Sequence, residues 1–220
     1  KSRMAQLLLF GAVVGNYQGE SVVKAAKWLG WKVTVVSFSP NEAARVRAHF
    51  GLTPPRDASA SSSFVTSVLF APESKEVYHA VLGADFVFFN TDFAATWQKH
   101  LKNVVQLISQ HGLAVQLIVL PTALEPPEAF SHVLKDNKIV REAEHLFRRL
   151  SAPVSVVVPG VFCECFLKFW PLTRSSSGVL TWWTLPIRAH HTLPLLTAEN
   201  DFGLVVCRMF QNATEFARRI

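Results

Sequence analysis

Short apolar runs separated by longer amphipathic stretches organise this chain. Six runs are dense in Leu, Val and Phe: Leu7 to Phe10, Val33 to Val36, Phe64 to Phe70, Phe86 to Phe89, Leu117 to Leu120 and Val154 to Val158. Apolar runs this short and unbroken predict strands covered on both faces, as in a parallel sheet. Between them, "ESVVKAAKWLG" and "NEAARVRAHFG" predict helices, each closed by a glycine where a left-handed residue is wanted. Three further helices are predicted from "PESKEVYHAVLGAD", "TWQKHLKNVVQLISQHG" and "NKIVREAEHLFRRL". Alternating strands and helices give an α/β fold with a doubly wound parallel sheet. After Pro171 the periodicity fades, which predicts a short irregular C-terminal segment with one short strand; "NDFGLVVCRMF" then predicts a closing helix. "PPRDASASSS" reads as a polar loop.

Composition supports a sizeable core, since 50% of the 220 residues are hydrophobic. The net charge of +6 and pI near 9.5 would suit an acidic partner. The cations are scattered, however, as in Lys24, Lys27 and Lys32 against Arg148, Arg149, Arg218 and Arg219, so a solvated surface is expected and direct nucleic-acid binding is not. Cys163, Cys165 and Cys207 make an odd count, which points to reduced thiols and a cytoplasmic location, with a nuclear presence left open. Cys163 and Cys165 alternate at a strand end and read as buried structural residues in preference to a redox pair. His190 and His191 do not complete a metal-ligand set, so no metal is expected. The opening apolar run flows into a glycine turn and a helix, so it reads as a strand and not as a leader. No run is long enough for a membrane span.

In a Rossmann-like sheet the first strand-helix turn holds a pyrophosphate against backbone amides and a helix N-terminus. Here that turn carries Gly11, Gly15 and Gly19, spaced G-x-x-x-G-x-x-x-G, wider than the usual fingerprint. The extra length is expected to displace the amides and weaken dinucleotide binding; retained and lost binding both stay open. At the end of the second strand an acid would read the ribose of NAD and an arginine the 2′-phosphate of NADP. Ser37, Phe38 and Ser39 stand there instead, and Arg45 and Arg47 on the next helix read as solvated.

Four blocks, in order, carry a family resemblance. "FGAVVGNYQGESVV", "PESKEVYHAVLGADFVFFNTDF", "KDNKIVREAEHLFRRLSAPVSVVVPGVFCECFL" and "LPLLTAENDFGLVVCRMF" resemble the landmarks of the NmrA-like family of atypical short-chain dehydrogenase/reductase proteins. The resemblance implies a Rossmann-like NAD(P)-binding domain over 1–170. It makes 171–220 the remainder of the NmrA-like domain, a truncated substrate or partner region. It implies NADP or NAD as cofactor, and in several members a redox or nutrient sensor that acts through a regulatory protein partner. Carried over by residue, Gly11, Gly15, Gln18 and Gly19 would face the pyrophosphate, with Tyr17 in the same turn and Phe38 at the place of the family's basic residue. Thr91, Asp92 and Phe93 would lie near the nicotinamide, Lys138 near its ribose, and Pro159, Gly160, Val161 and Phe162 would wall the pocket.

The chemistry of a short-chain dehydrogenase needs a Tyr acid, a Lys four residues later and a Ser. Counting back from Lys138 gives Leu134, which cannot transfer a proton. Thr122 at the end of the fifth strand could orient a substrate, so Thr122 and Lys138 are the only catalytic candidates. Tyr17 and Tyr78 offer no replacement acid. Asp92 and Glu164 read better as a helix cap and a structural carboxylate than as acid/base groups. Two functions follow: a non-catalytic regulator with weakened dinucleotide binding, or an NAD(P)H-dependent reductase of a small carbonyl or enone.

Overall fold

The computed structural model describes residues 3–11, 13–52, 64–71, 74–91, 96–122, 137–159, 161–164, 173–174, 176–177, 180–181, 195–197 and 201–217. The six apolar runs form strands β1 (Gln6–Phe10), β2 (Lys32–Ser37), β3 (Val65–Leu69), β4 (Phe86–Phe89), β5 (Leu117–Pro121) and β6 (Val154–Val157). They make one parallel sheet in the order β3-β2-β1-β4-β5-β6. Leu9 of β1 is in register with Val35 on one side and Phe88 on the other. The strand order reverses between β1 and β4, and ligands of doubly wound sheets bind at that reversal.

Period-two geometry divides the strand side chains between two cores. Leu7 and Leu9 join Val33, Val35, Phe86 and Phe88 on one face. Leu8 and Phe10 join Val36, Val87 and Phe89 on the other. The second face is covered by α3 (Lys75–Gly83), α4 (Leu101–His111) and α5 (Asn137–Arg148), through Val77, Val104, Ile108 and Phe147. The first is covered by α1 (Tyr17–Trp28) and α2 (Pro40–His49), whose C-terminal turns end in the left-handed glycines the sequence predicts, Gly30 and Gly51.

Helix α6 (Gly203–Gln211) completes that first face from the far end of the chain. Phe202, Val206 and Phe210 are buried there, and Phe210 stacks on Phe86 at 5.0 Å, beside Trp31 at 6.4 Å. Its start is fixed twice. Asp201 Oδ2 accepts the Thr197 amide at 2.6 Å and the Thr197 hydroxyl at 2.9 Å, and Gly203 N donates to Ser21 Oγ at 2.8 Å. These bonds from Thr197, the backbone one foremost, hold the Asp201 carboxyl below its ordinary range. A short helix α7 (Ala213–Phe216) follows, and Ser155 Oγ donates to Phe216 O at 2.9 Å, tying it to β6.

Three local expectations change. Beyond Pro171 the described residues hold three two-residue strands, not one: β8 (Thr173–Arg174) pairs antiparallel with β9 (Leu180–Thr181), and β10 (Leu195–Leu196) pairs with β7 (Val161–Phe162). Strands of two residues are too short to leave a periodicity. Cys163 and Glu164 are helical and Cys163 is only half-buried, so Cys163 is not the buried strand-end residue expected. The helix predicted from Thr96 begins as a tighter 3-10 turn, Thr96–His100, before α4. The serine-rich loop 54–63 and His190 and His191 lie outside the described residues.

Gly203 is where α6 comes closest to α1: an added β-carbon would overlap the Ser21 carbonyl oxygen. Gly203→Ala is therefore expected to destabilise the fold by about 2 kcal/mol or more by overpacking, read as a lowered urea midpoint. Leu204→Ala, at an exposed neighbour, should change it little.

Candidate dinucleotide site

The carboxyl edge of the sheet is built around the turn from β1 to α1. Gly11 N donates to Val36 O at 3.0 Å, and Gly11 adopts φ +106°. A β-carbon there would stand 2.9 Å from Asn90 O, so the approach of β1 to the end of β4 requires glycine as well. Asn16 N donates to Val13 O at 3.1 Å, closing a turn in which Gly15 takes φ +78°. The added residues of the wide glycine motif are taken up in this turn, and the helix starts at Tyr17.

Asn16 is the cap. Its Oδ1 accepts Gly19 N at 3.0 Å and Asn90 Nδ2 at 3.0 Å. One amide oxygen therefore fixes the first turn of α1 and joins it to the buried residue that ends β4. Gly19 is thus the third helical residue and is buried, and its N–H is committed to the cap. Tyr17, expected in the loop, opens the helix, and its ring lies 6.3 Å from that of Phe162, which in turn packs edge-on against Phe202 at 5.6 Å. Gln18 Oε1 and the last side chain of β2, Ser37 Oγ, are buried without a hydrogen-bond partner among the described residues.

Two charged groups at this edge were not expected from sequence. Glu42 Oε2 accepts Phe38 N at 3.0 Å and Ser39 N at 3.2 Å, while Ser39 Oγ accepts Glu42 N at 3.2 Å. A carboxylate thus stands at the end of β2, supplied from the first turn of α2. The S-x-x-E capping-box spacing of Ser39 and Glu42 was the signal available for it. Arg45, read as merely solvated, is exposed yet reaches back to the glycine turn: Nη2 donates to Val14 O at 2.8 Å and sits 2.9 Å from where a Gly15 β-carbon would be. No local spacing could show that contact, which spans 31 residues.

Phe38 points elsewhere. Its ring is nearly buried, lies parallel to His100 at 5.4 Å and meets Phe70 edge-on at 5.4 Å, in the core of the α3–α4 face. At the neighbouring strand ends, Thr91 Oγ1 donates to Pro121 O at 2.8 Å and Thr122 N donates to Val157 O at 2.9 Å. The sheet order brings Gly11, Thr91 and Thr122 to one edge, and the Tyr17–Phe162 contact adds Phe162. Pro159 follows β6 and is half-buried. Asp92, Phe93, Gly160, Leu134 and Cys165 lie outside the described residues, as do the side chains of Lys138, in the first turn of α5, and Val161, in β7.

A six-stranded parallel sheet in this order, with a glycine turn at its reversal point, defines the Rossmann class of dinucleotide-binding folds. Among solved structures the chain is similar to NmrA, a negative transcriptional regulator, with 17% identity and a TM-score of 0.68 over 97% of this chain. It is also similar to NmrA in complex with NAD (17%, TM-score 0.67) and with NADP (16%, TM-score 0.68), each over 98% of this chain. Gre2 from Candida albicans in complex with NADPH matches 70% of this chain and 57% of its own, at 12% identity and a TM-score of 0.50. These likenesses show a shared fold. The chain spans 64–65% of the length of the NmrA chains. No family model and no curated protein matches the sequence.

The residues present fit a nicotinamide dinucleotide. The helix N-terminus is intact and points to the sheet edge, a guanidinium stands at the turn, and a carboxylate stands where a ribose would be read. Among the described residues no group of three His, Cys, Asp or Glu side chains could hold a metal ion, and no helix is long and apolar enough to cross a membrane.

Cys207 lies apart from this edge, buried in α6, and burial pushes its thiol up to about 12 from 9.0. The unfolded chain loses this proton near pH 9 and the folded chain keeps it, so its contribution to stability is complete below pH 9 and declines as pH rises toward 12. A Cys163→Ser/Cys165→Ser variant is expected to show no reaction with Ellman's reagent at pH 8 until it is unfolded.

Proposed function

We propose that this chain is an NmrA-like regulator that binds a nicotinamide dinucleotide at the carboxyl edge of its sheet and acts through a protein partner, without catalysing hydride transfer. The observation that carries the reading is the Asn16 bridge, which keeps the start of α1 aligned on the end of β4 despite the widened glycine motif. The NmrA structures with NAD and NADP support it through the shared fold alone. When bound, the dinucleotide would supply a hydride donor or acceptor. The protein's part is to hold it: the first turn of α1 and Arg45 would take the pyrophosphate, and Tyr17 and Phe162 would pack beside it.

The non-catalytic reading rests on Leu134, which stands in the sequence four residues before Lys138, where a short-chain dehydrogenase has its proton donor. The choice of cofactor rests on Glu42. A carboxylate at the end of β2 accepts hydrogen bonds from ribose hydroxyls and repels a 2′-phosphate, so NAD(H) should bind more tightly than NADP(H).

Calorimetric titration tests these points. NAD(H) is expected to bind, and Arg45→Ala to weaken it about tenfold by removing one charge-assisted contact. Asn16→Asp keeps the cap acceptor and should leave the melting temperature near that of the wild type, but it sets a negative charge at the phosphate position and should abolish binding. Glu42→Gln keeps the capping box and should narrow the gap between NAD(H) and NADP(H). No binding of either dinucleotide at millimolar concentration would refute the reading. Turnover of a carbonyl substrate that is lost on Thr122→Ala would replace the regulator with the reductase.

A further inference from the structure

The outer surface of the α4–α5 pair carries a groove of about 320 Å³ on the face of the sheet opposite α1. Its apolar wall is formed by Val105 of α4, Leu146 of α5 and Leu150 just past the end of α5, all only half-buried. Lys102 stands on the α4 side and Arg149 on the α5 side. No acidic residue lines it, and the whole segment from Thr96 to His111 contains Lys99 and Lys102 but no Asp or Glu.

Among the described residues the nearby acids do not neutralise these cations. Glu144 is held by Arg148, with Nη2 at 2.8 Å and Nε at 2.9 Å from its Oε1. Glu142 is exposed on α5 and does not line the groove. Among the described residues no salt bridge engages Lys102 or Arg149, whereas the cations on α1 and α5 that do pair, Lys24 and Arg148, have acids at i−4. The two helices therefore present an apolar stripe flanked by two exposed cations.

We infer that this groove is the docking site for the protein partner, and that the partner supplies an amphipathic helix whose apolar face is flanked by Glu or Asp. The inference rests on the regulator reading for the existence of a partner; the groove supplies the partner's chemistry. Packed helices offer parallel ridges with a trough between them, and a third helix fills such a trough with residues at i, i+3, i+4 and i+7. Gln106, a turn on from Lys102 along the same wall, can hydrogen-bond the polar flank of such a helix. The cations on opposite walls select acids on both flanks and repel a basic helix.

The test uses two fluorescein-labelled helical peptides with the same leucine face, one flanked by glutamates and the other by lysines, titrated into the 220-residue chain. The glutamate peptide is expected to bind, with affinity falling as salt rises, and the lysine peptide to bind at least about tenfold more weakly. Lys102→Glu combined with Arg149→Glu should invert that preference while leaving the melting temperature and NAD(H) titration unchanged, since both side chains are exposed and lie away from the glycine turn. Equal binding of the two peptides, or insensitivity to the charge reversal, overturns the inference. So does a dimer in sedimentation that the charge reversal dissociates, because a second copy would then cover the groove. Peptide binding with no dinucleotide binding would overturn the cofactor reading alone, and the converse would overturn the groove alone.

Discussion

A parallel sheet buried on both faces must be covered on both, and here the cover for one face comes from the two ends of the chain. The helices that follow β3, β4 and β5 lie on one side, where Phe10, Phe89 and Phe147 meet. On the other side α1 and α2 leave Phe86, Phe88 and Trp31 in need of a further layer, and α6 supplies it with Phe202 and Phe210. Truncating one such buried ring to Ala costs about 3–5 kcal/mol, a large fraction of the net stability of an ordinary domain. The packing of α6 on α1 is therefore a condition of the fold, and residue 203 must be glycine for the two backbones to meet.

The same packing stabilises the site. The first turn of α1 is held at three points: by its own cap through Asn16, by the end of β4 through Asn90, and by α6 through Ser21. A helix N-terminus stabilises an anion only when its amides are aimed and kept still, because the effect fades beyond the first turn. The widened glycine motif is taken up before Tyr17, and the helix that follows is capped by Asn16. Arg45, from α2, adds a further tie to the turn through the Val14 carbonyl.

How much of this could be read from sequence follows the range of each interaction. The six strands and five central helices were legible because burial on two faces and on one face leave different patterns within a few residues. The closing helix was legible too, from "NDFGLVVCRMF", but its role in covering α1 was not, since the Ser21–Gly203 hydrogen bond spans 182 residues. Glu42 was half-legible: the capping box is a local signal, while its position at the nucleotide edge depends on where β2 ends. Arg45 is exposed, as read, but its contact with Val14 was not legible because the β1–α1 turn lies 31 residues away in sequence. The two short strand pairs formed by β7 to β10 left no trace, since two residues are too few to show a period.

The edge lies at the carboxyl ends of the strands and the groove over the α4–α5 face, and their electrostatics differ. At the edge, Glu42 and Arg45 stand one turn apart on α2, so the edge carries both signs of charge. In the groove the formal charges are of one sign, which attracts an acidic surface without reading its detail. A small, multiply charged ligand needs the first arrangement, since its groups are fixed relative to one another. A helix needs only the second, because its own apolar spacing supplies the register. The positive charge scattered along the sequence is scattered over the surface as well: Arg45 and Arg149 are distant in sequence and stand at different parts of the fold.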